Sequence, residues 1–124
     1  MKLLVIGSGM MGSAAVYDMA RTPQVESVTL ADTDIRRARD VTSRVNRITG
    51  EKKLRAAELD AVDEAAASKL MHGHDGVLSA VPYFLNLGLA KAAIEARCHF
   101  ADLGGNNTSC GRNWRSRRKP KSVA

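Results

Sequence analysis

Residues 5–14 read VIGSGMMGSA. Within them Gly7-Ser8-Gly9-Met10-Met11-Gly12 is a G-x-G-x-x-G hexapeptide, and how it is read decides the fold. Just before it, Lys2–Ile6 (KLLVI) is a short continuous apolar run, which suits a strand covered on both faces as in a parallel sheet. Just after it, Ser13–Arg21 contains no breaker and predicts a helix, with Ala14, Ala15, Met19 and Ala20 turned inward. Thr22-Pro23 ends that helix, because proline cannot continue it and restricts its predecessor. Between a strand and a helix each glycine has a physical task. Gly7 permits the tight turn, Gly9 leaves no Cβ between the backbone and a pyrophosphate, and Gly12 lets the helix pack closely on the sheet. Ser8, Met10 and Met11 fill the intervening places, and the helix N-terminus offers free amides to the phosphates.

The next strand, Val28–Ala31 (VTLA), runs into Asp32, twenty residues after Gly12. A carboxylate there accepts hydrogen bonds from both hydroxyls of an adenosine ribose and repels a 2′-phosphate, which favours NAD. Arg36 and Arg37 follow closely and would attract that phosphate, so NADP stays open. The plain alternative is that the glycines only make a tight turn. The hexapeptide, its strand–helix setting and the acidic residue together favour dinucleotide binding.

Thr33 or Asp34 can cap a second helix, in which Ile35, Ala38, Val41, Val45 and Ile48 share one face and Gly50 supplies the stop. A weaker strand, Lys53–Leu59, leads to Asp60 and a short helix from Asp63 to Met71. A fourth strand, Val77–Val81, ends at Pro82. A helix over Phe84–Ala96, with Leu85, Leu89, Ala92, Ala93 and Ala96 inward, precedes a fifth strand at His99–Asp102. The alternation predicts an α/β, Rossmann-type doubly wound parallel sheet of about five strands in the order 3-2-1-4-5.

Ligands of such sheets bind at the carboxyl edge of the strands. Ala80, Val81 and Pro82 stand there, either lining a cofactor or simply leaving the strand. Asp60 either touches adenine or flanks the following helix. Tyr83 lies near a substrate position or only caps a helix, and Asp102 with Gly104-Gly105-Asn106 could approach a nicotinamide or form a hinge. His72 and His74 fall in a turn at the opposite edge, where solvated side chains rather than metal ligands are expected. Cys98 reads as a small buried hydrophobe.

The chain has 124 residues, 44% of them hydrophobic, which is one small domain with a sizeable core. No apolar run approaches the roughly 20 residues needed to span a bilayer, and the opening residues are too quickly polar for a signal peptide. Two cysteines give neither a disulfide framework nor a metal spacing. A cytoplasmic protein without a metal is expected. The net charge of +6 resides in residues 112–124, because residues 1–111 carry 13 basic and 13 acidic side chains. Such a terminal basic run can grip phosphates non-specifically, but ordinarily it is only solvated, so nucleic acid is not an expected partner.

The blocks MKLLVIGSGMMG, VTLAD, GHDGVLSAVP and FADLGGNN resemble the saccharopine dehydrogenase-like oxidoreductases, lysine 6-dehydrogenases most of all, over about residues 1–108. The resemblance implies a Rossmann cofactor domain, NAD(P)-linked oxidation at a C–N bond of an amino acid, and usually a dimer. Carried over, Gly7, Gly9 and Gly12 hold the pyrophosphate, Asp32 the ribose, Asp60 and Ala61 the adenine, and Ala80 to Pro82 the nicotinamide side. It assigns no catalytic residue, because the family's substrate-binding residues lie mostly beyond residue 108. The likeness breaks after Asn107, where the family continues with an apolar helix, a sixth strand and a substrate domain. Residues 109–124 (SCGRNWRSRRKPKSVA) instead form an irregular basic tail. Codons exist for which a one-base shift near Thr108 turns SCGRNWRS into the amphipathic Val-Val-Arg-Ala-Glu-Leu-Ala-Leu, so a shifted reading frame is expected. The chain alone would then lack its substrate domain and be inactive. A regulatory nucleotide-sensing domain without catalysis is the alternative.

Overall fold

Lys2–Ile6 forms strand β1, and its neighbours decide its composition. It pairs in parallel with β2 (Ser27–Asp32) on one side and with β4 (Gly76–Ser79) on the other. A central strand buries both faces, so Leu4, Val5 and Ile6 are all essentially inaccessible. β3 (Leu54–Glu58) pairs with β2 and β5 (His99–Asp102) with β4, both in parallel. The order is β3-β2-β1-β4-β5. This computed structural model describes residues 1–102, the Tyr83 side chain excepted. The basic tail and Gly104–Asn106 lie outside the described residues.

Two layers of helix cover the sheet. Helices α1 (Met10–Ala20) and α2 (Ile35–Thr49) close one face, with Val16, Ala20, Ala38, Val41 and Val45 packed on Val5, Val28 and Leu30. Helices α3 (Glu64–Met71) and α4 (Asn86–Ala96) close the other, with Ala67, Met71, Leu89, Ala92 and Ala93 packed on Leu4, Ile6 and Ala31. Alternation along β1 sends Leu4 and Ile6 to one core and Val5 to the other.

The helices end where their chemistry dictates. Asp34 caps α2 by accepting from the amides of Arg36 (3.1 Å) and Arg37 (3.2 Å). Gly50 stops it in the left-handed region at φ 74°. Asp63 caps α3 through the Ala66 amide at 3.0 Å.

Several details depart from the sequence reading. α1 begins at Met10 rather than Ser13, because the glycine turn closes at Gly9. The buried stripe is Gly12, Val16 and Ala20, spaced four apart, and Ala14 is exposed. Ile48 is 62% exposed and joins neither core. β4 stops at Ser79, and after the Ala80 amide bonds Ile6 O at 2.8 Å the chain turns away. A 3₁₀ turn over Tyr83–Leu85 then intervenes, so α4 starts at Asn86. His74 is not simply solvated: it is half-buried and its Nε2 meets Thr29 Oγ1 at 3.1 Å. Cys98 is buried as expected, and burial, with the nearby Asp75 charge, pushes its thiol pKa up.

Candidate functional site

The register of β1 with its neighbours builds the site. Ile6 stands level with Ala31 on one side and Ser79 on the other. The segments leaving β1, β2 and β4 therefore emerge together, where successive crossovers diverge to opposite faces. A cleft of about 310 Å³ opens there. Its lining includes Gly7, Ser8 and Gly9 from the first turn, Asp32, Thr33 and Arg37 from the second, Asp60 and Ala61 after β3, and Ala80, Val81 and Pro82 after β4.

Each glycine is accounted for differently. Gly7 has φ 106°, and a Cβ there would stand 2.8 Å from Ala80 O, so both conformation and packing require it. A Cβ on Gly12 would fall 1.8 Å from Gly7 O, so the crowding partner is the turn itself rather than the sheet. A Cβ on Gly9 meets nothing within 4 Å, and its φ of −71° is open to any residue. Neither packing nor backbone geometry asks for glycine there.

Gly9 is also the N-cap of α1, which has no side-chain cap and no acidic residue in its first turn. The first α1 bond to the turn runs from the Ser13 amide to Gly9 O at 2.9 Å. The preceding amides form the kind of uncapped helix terminus that attracts anions. Met10 and Met11 are 88% and 58% exposed and do not line the cleft.

Asp32 is 8% exposed and heavily bonded. Its Oδ2 accepts from the Ser8 amide at 2.7 Å, from the Ser8 hydroxyl, and from Arg37 Nη2 at 3.3 Å. Its Oδ1 accepts from the Asp34 amide at 2.9 Å and the Thr33 hydroxyl at 3.3 Å. Arg37 Nε also donates to Ser8 Oγ at 3.0 Å. Burial alone would push the Asp32 pKa up. The amide of Asp34, both donors of Ser8 and the Arg37 charge outweigh it and bring it down to about 2. The carboxylate is therefore ionised at any ordinary pH.

The remaining residues fall into place around this centre. Asp60 is exposed at the cleft and also bonds the Val62 amide at 3.1 Å through Oδ1, so its two sequence readings are compatible. The buried Ser79 hydroxyl donates to Asn86 Oδ1 at 2.6 Å and ties the start of α4 to the end of β4. Asp102 lies level with Ser79 on the same sheet edge. His72 and His74 belong to the turn before β4, at the opposite edge. Among the described residues no cluster of three or more His, Cys, Asp or Glu could hold a metal. Leu59 and Leu85, also in the lining, carried no local motif, and neither did the link from Ser8 to Asp32.

Residues 3–122 match the family described as the saccharopine dehydrogenase NADP binding domain. The chain belongs to that family. It is accordingly an NAD(P)-binding domain of oxidoreductase type with the Rossmann fold. Among solved structures it is similar to apo saccharopine dehydrogenase (L-Glu forming) from Saccharomyces cerevisiae, at 25% identity and TM-score 0.67, over 87% of this chain and 22% of that one. The UDP-glucose-4-epimerase from Stenotrophomonas maltophila with bound NAD shares the fold at 22% identity and TM-score 0.68, over 82% of this chain and 36% of that one. Quinate dehydrogenase from Corynebacterium glutamicum in complex with NAD does so at 18% identity and TM-score 0.58, over 80% and 43%. This chain thus spans less than half the length of each. Among the described residues no helix is long and apolar enough to cross a membrane.

Proposed function

We propose that the cleft at the β1–α1 turn binds a nicotinamide dinucleotide. The amides of Gly9, Met10, Met11 and Gly12 hold the pyrophosphate, with Ser8 beside them and its own amide committed to Asp32. Asp32 takes the adenosine ribose side, Asp60 and Ala61 flank adenine, and Ala80, Val81 and Pro82 face the nicotinamide half. The observation that carries this reading is the empty space over Gly9, which none of the described residues fills. A pyrophosphate against bare amides, beside an uncapped helix end, gives that space a use. The nicotinamide ring, when bound, would accept or deliver a hydride. The chain's own residues bind and orient it.

We assign the reaction class by family: oxidation at a C–N bond of an amino acid, by a larger protein of which this is the cofactor half. The yeast relative, of which this chain covers 22%, supports a substrate domain elsewhere. By itself the chain binds cofactor and turns over nothing, and it acts in the cytoplasm. We place the domain end at Thr108 on the change in composition, although the family match runs on to residue 122. Sequencing the gene around codon 108 tests this: a one-base change should open a longer frame with family-like sequence, and its absence refutes the shifted frame. Titrating the chain with NADH and NADPH, followed by the fluorescence of the reduced ring, tests cofactor binding. Saturable binding of at least one is expected, and binding of neither contradicts the reading. Assay of the extended protein with amino acids then tests the reaction class.

A further inference from the structure

Asp32 is not a free ribose acceptor. Its Oδ2 already takes three donors, namely the Ser8 amide, the Ser8 hydroxyl and Arg37 Nη2. A carboxylate oxygen has two lone pairs, which three donors already oversubscribe, so a ribose 2′-hydroxyl reaches it only when the side-chain donors move aside. The Ser8 amide belongs to the turn and stays. The groups that can leave are the Ser8 hydroxyl and the Arg37 guanidinium, and these are joined to each other at 3.0 Å.

The same arrangement weakens the usual objection to a 2′-phosphate. An isolated carboxylate repels a phosphate, but this one is nine-tenths buried, fully hydrogen-bonded and paired with a cation. Arg37 stands in the third position of α2, with its side chain 55% exposed at the cleft. It uses one Nε and one Nη2 donor on Ser8 and Asp32. A guanidinium has five N–H groups, and the others have no protein partner among the described residues. Arg36, the other cation next to Asp34, is exposed and does not line the cleft. The remaining charge in the cleft is Asp60, on the segment after β3. Asp34 turns its Oδ1 to the α2 amides.

We propose that Ser8 and Arg37 together set cofactor choice toward the 2′-phosphorylated dinucleotide. Ser8 occupies the Asp32 oxygen that a ribose 2′-hydroxyl needs, and Arg37 presents its spare N–H groups to the 2′-phosphate. The inference rests on the dinucleotide reading of the cleft and adds its specificity.

The test is calorimetric titration of the full chain with NADPH and with NADH, for wild type, Ser8→Ala, Arg37→Ala and Arg37→Lys. Wild type should bind NADPH more tightly. Arg37→Ala should weaken NADPH about tenfold, the loss expected for a charge-assisted contact, with little change for NADH. Arg37→Lys should restore part of that loss. Ser8→Ala keeps the backbone bond to Asp32 but removes one of the three Oδ2 donors and the anchor of Arg37 Nε. Arg37 can then swing aside and open a lone pair to the ribose, and the affinity ratio should shift toward NADH. Circular dichroism confirms that the variants are folded, which the exposure of Arg37 favours. If both dinucleotides bind and their ratio is the same in every variant, the specificity role is overturned while the cofactor reading stands. If wild type binds neither, the cofactor reading falls and the specificity role with it.

Discussion

Gly12 and Asp32 show how single residues carry this site. The Gly12 α-carbon has no room for a methyl group, since a Cβ would lie 1.8 Å from Gly7 O. Gly12→Ala must push the turn from α1 and should cost about 3 kcal/mol or more in urea denaturation. An unchanged midpoint would contradict the packing described. Asp32 makes its contribution through charge. Its folded pKa of about 2 lies below the ordinary 3.8, so the folded state binds this proton more weakly than the unfolded state. The resulting stabilisation, roughly 2 kcal/mol, is complete above the ordinary value and disappears as pH falls through about 2. Asp32→Asn should therefore be less stable than wild type at neutral pH, and the gap should close toward pH 2. Denaturation midpoints of both proteins across that range check it. Part of this was legible: the hexapeptide and Asp32 were singled out in the sequence, and the two segments meet at one cleft. That Ser8 and Arg37 would saturate the carboxylate was not, because it depends on how far apart β1 and β2 hold their ends.

At the scale of elements, capping chemistry was the clearest signal. Asp34, Gly50 and Asp63 sit in the chain as the helix ends require, and α2 and α3 begin or end at them. Asp34→Ala removes the acceptor for two α2 amides and should cost about 1 kcal/mol in thermal or chemical unfolding. It also bears on the site, because α2 holds Arg37 at the cleft. No loss of stability would show that the α2 amides find other partners. The ends of β4 and the start of α4 were harder to read. Ser79-Ala80-Val81 is apolar enough to continue a strand, but β4 is limited by its partners: Ser79 is the last residue level with β1 and β5. The α1 start was missed for a related reason. Methionines fit a loop or a helix equally, and only the closure of the turn at Gly9 decides that Met10 is helical.

For the molecule as a whole, strand order was legible because few right-handed parallel arrangements fit a βαβα chain of this length. The order β3-β2-β1-β4-β5 brings four separate segments to one cleft. What composition and periodicity do not reveal is the empty volume between them, which exists only once the layers are packed. That volume is where the functional claim can be tested without disturbing the fold. Gly9→Val places a side chain in open space at an ordinary backbone φ, so the unfolding temperature should stay close to that of wild type. Calorimetric titration of this variant beside wild type is the decisive measurement: the account predicts that wild type binds NADPH and the folded variant does not. Equal binding by both would contradict a pyrophosphate resting on the Gly9 backbone.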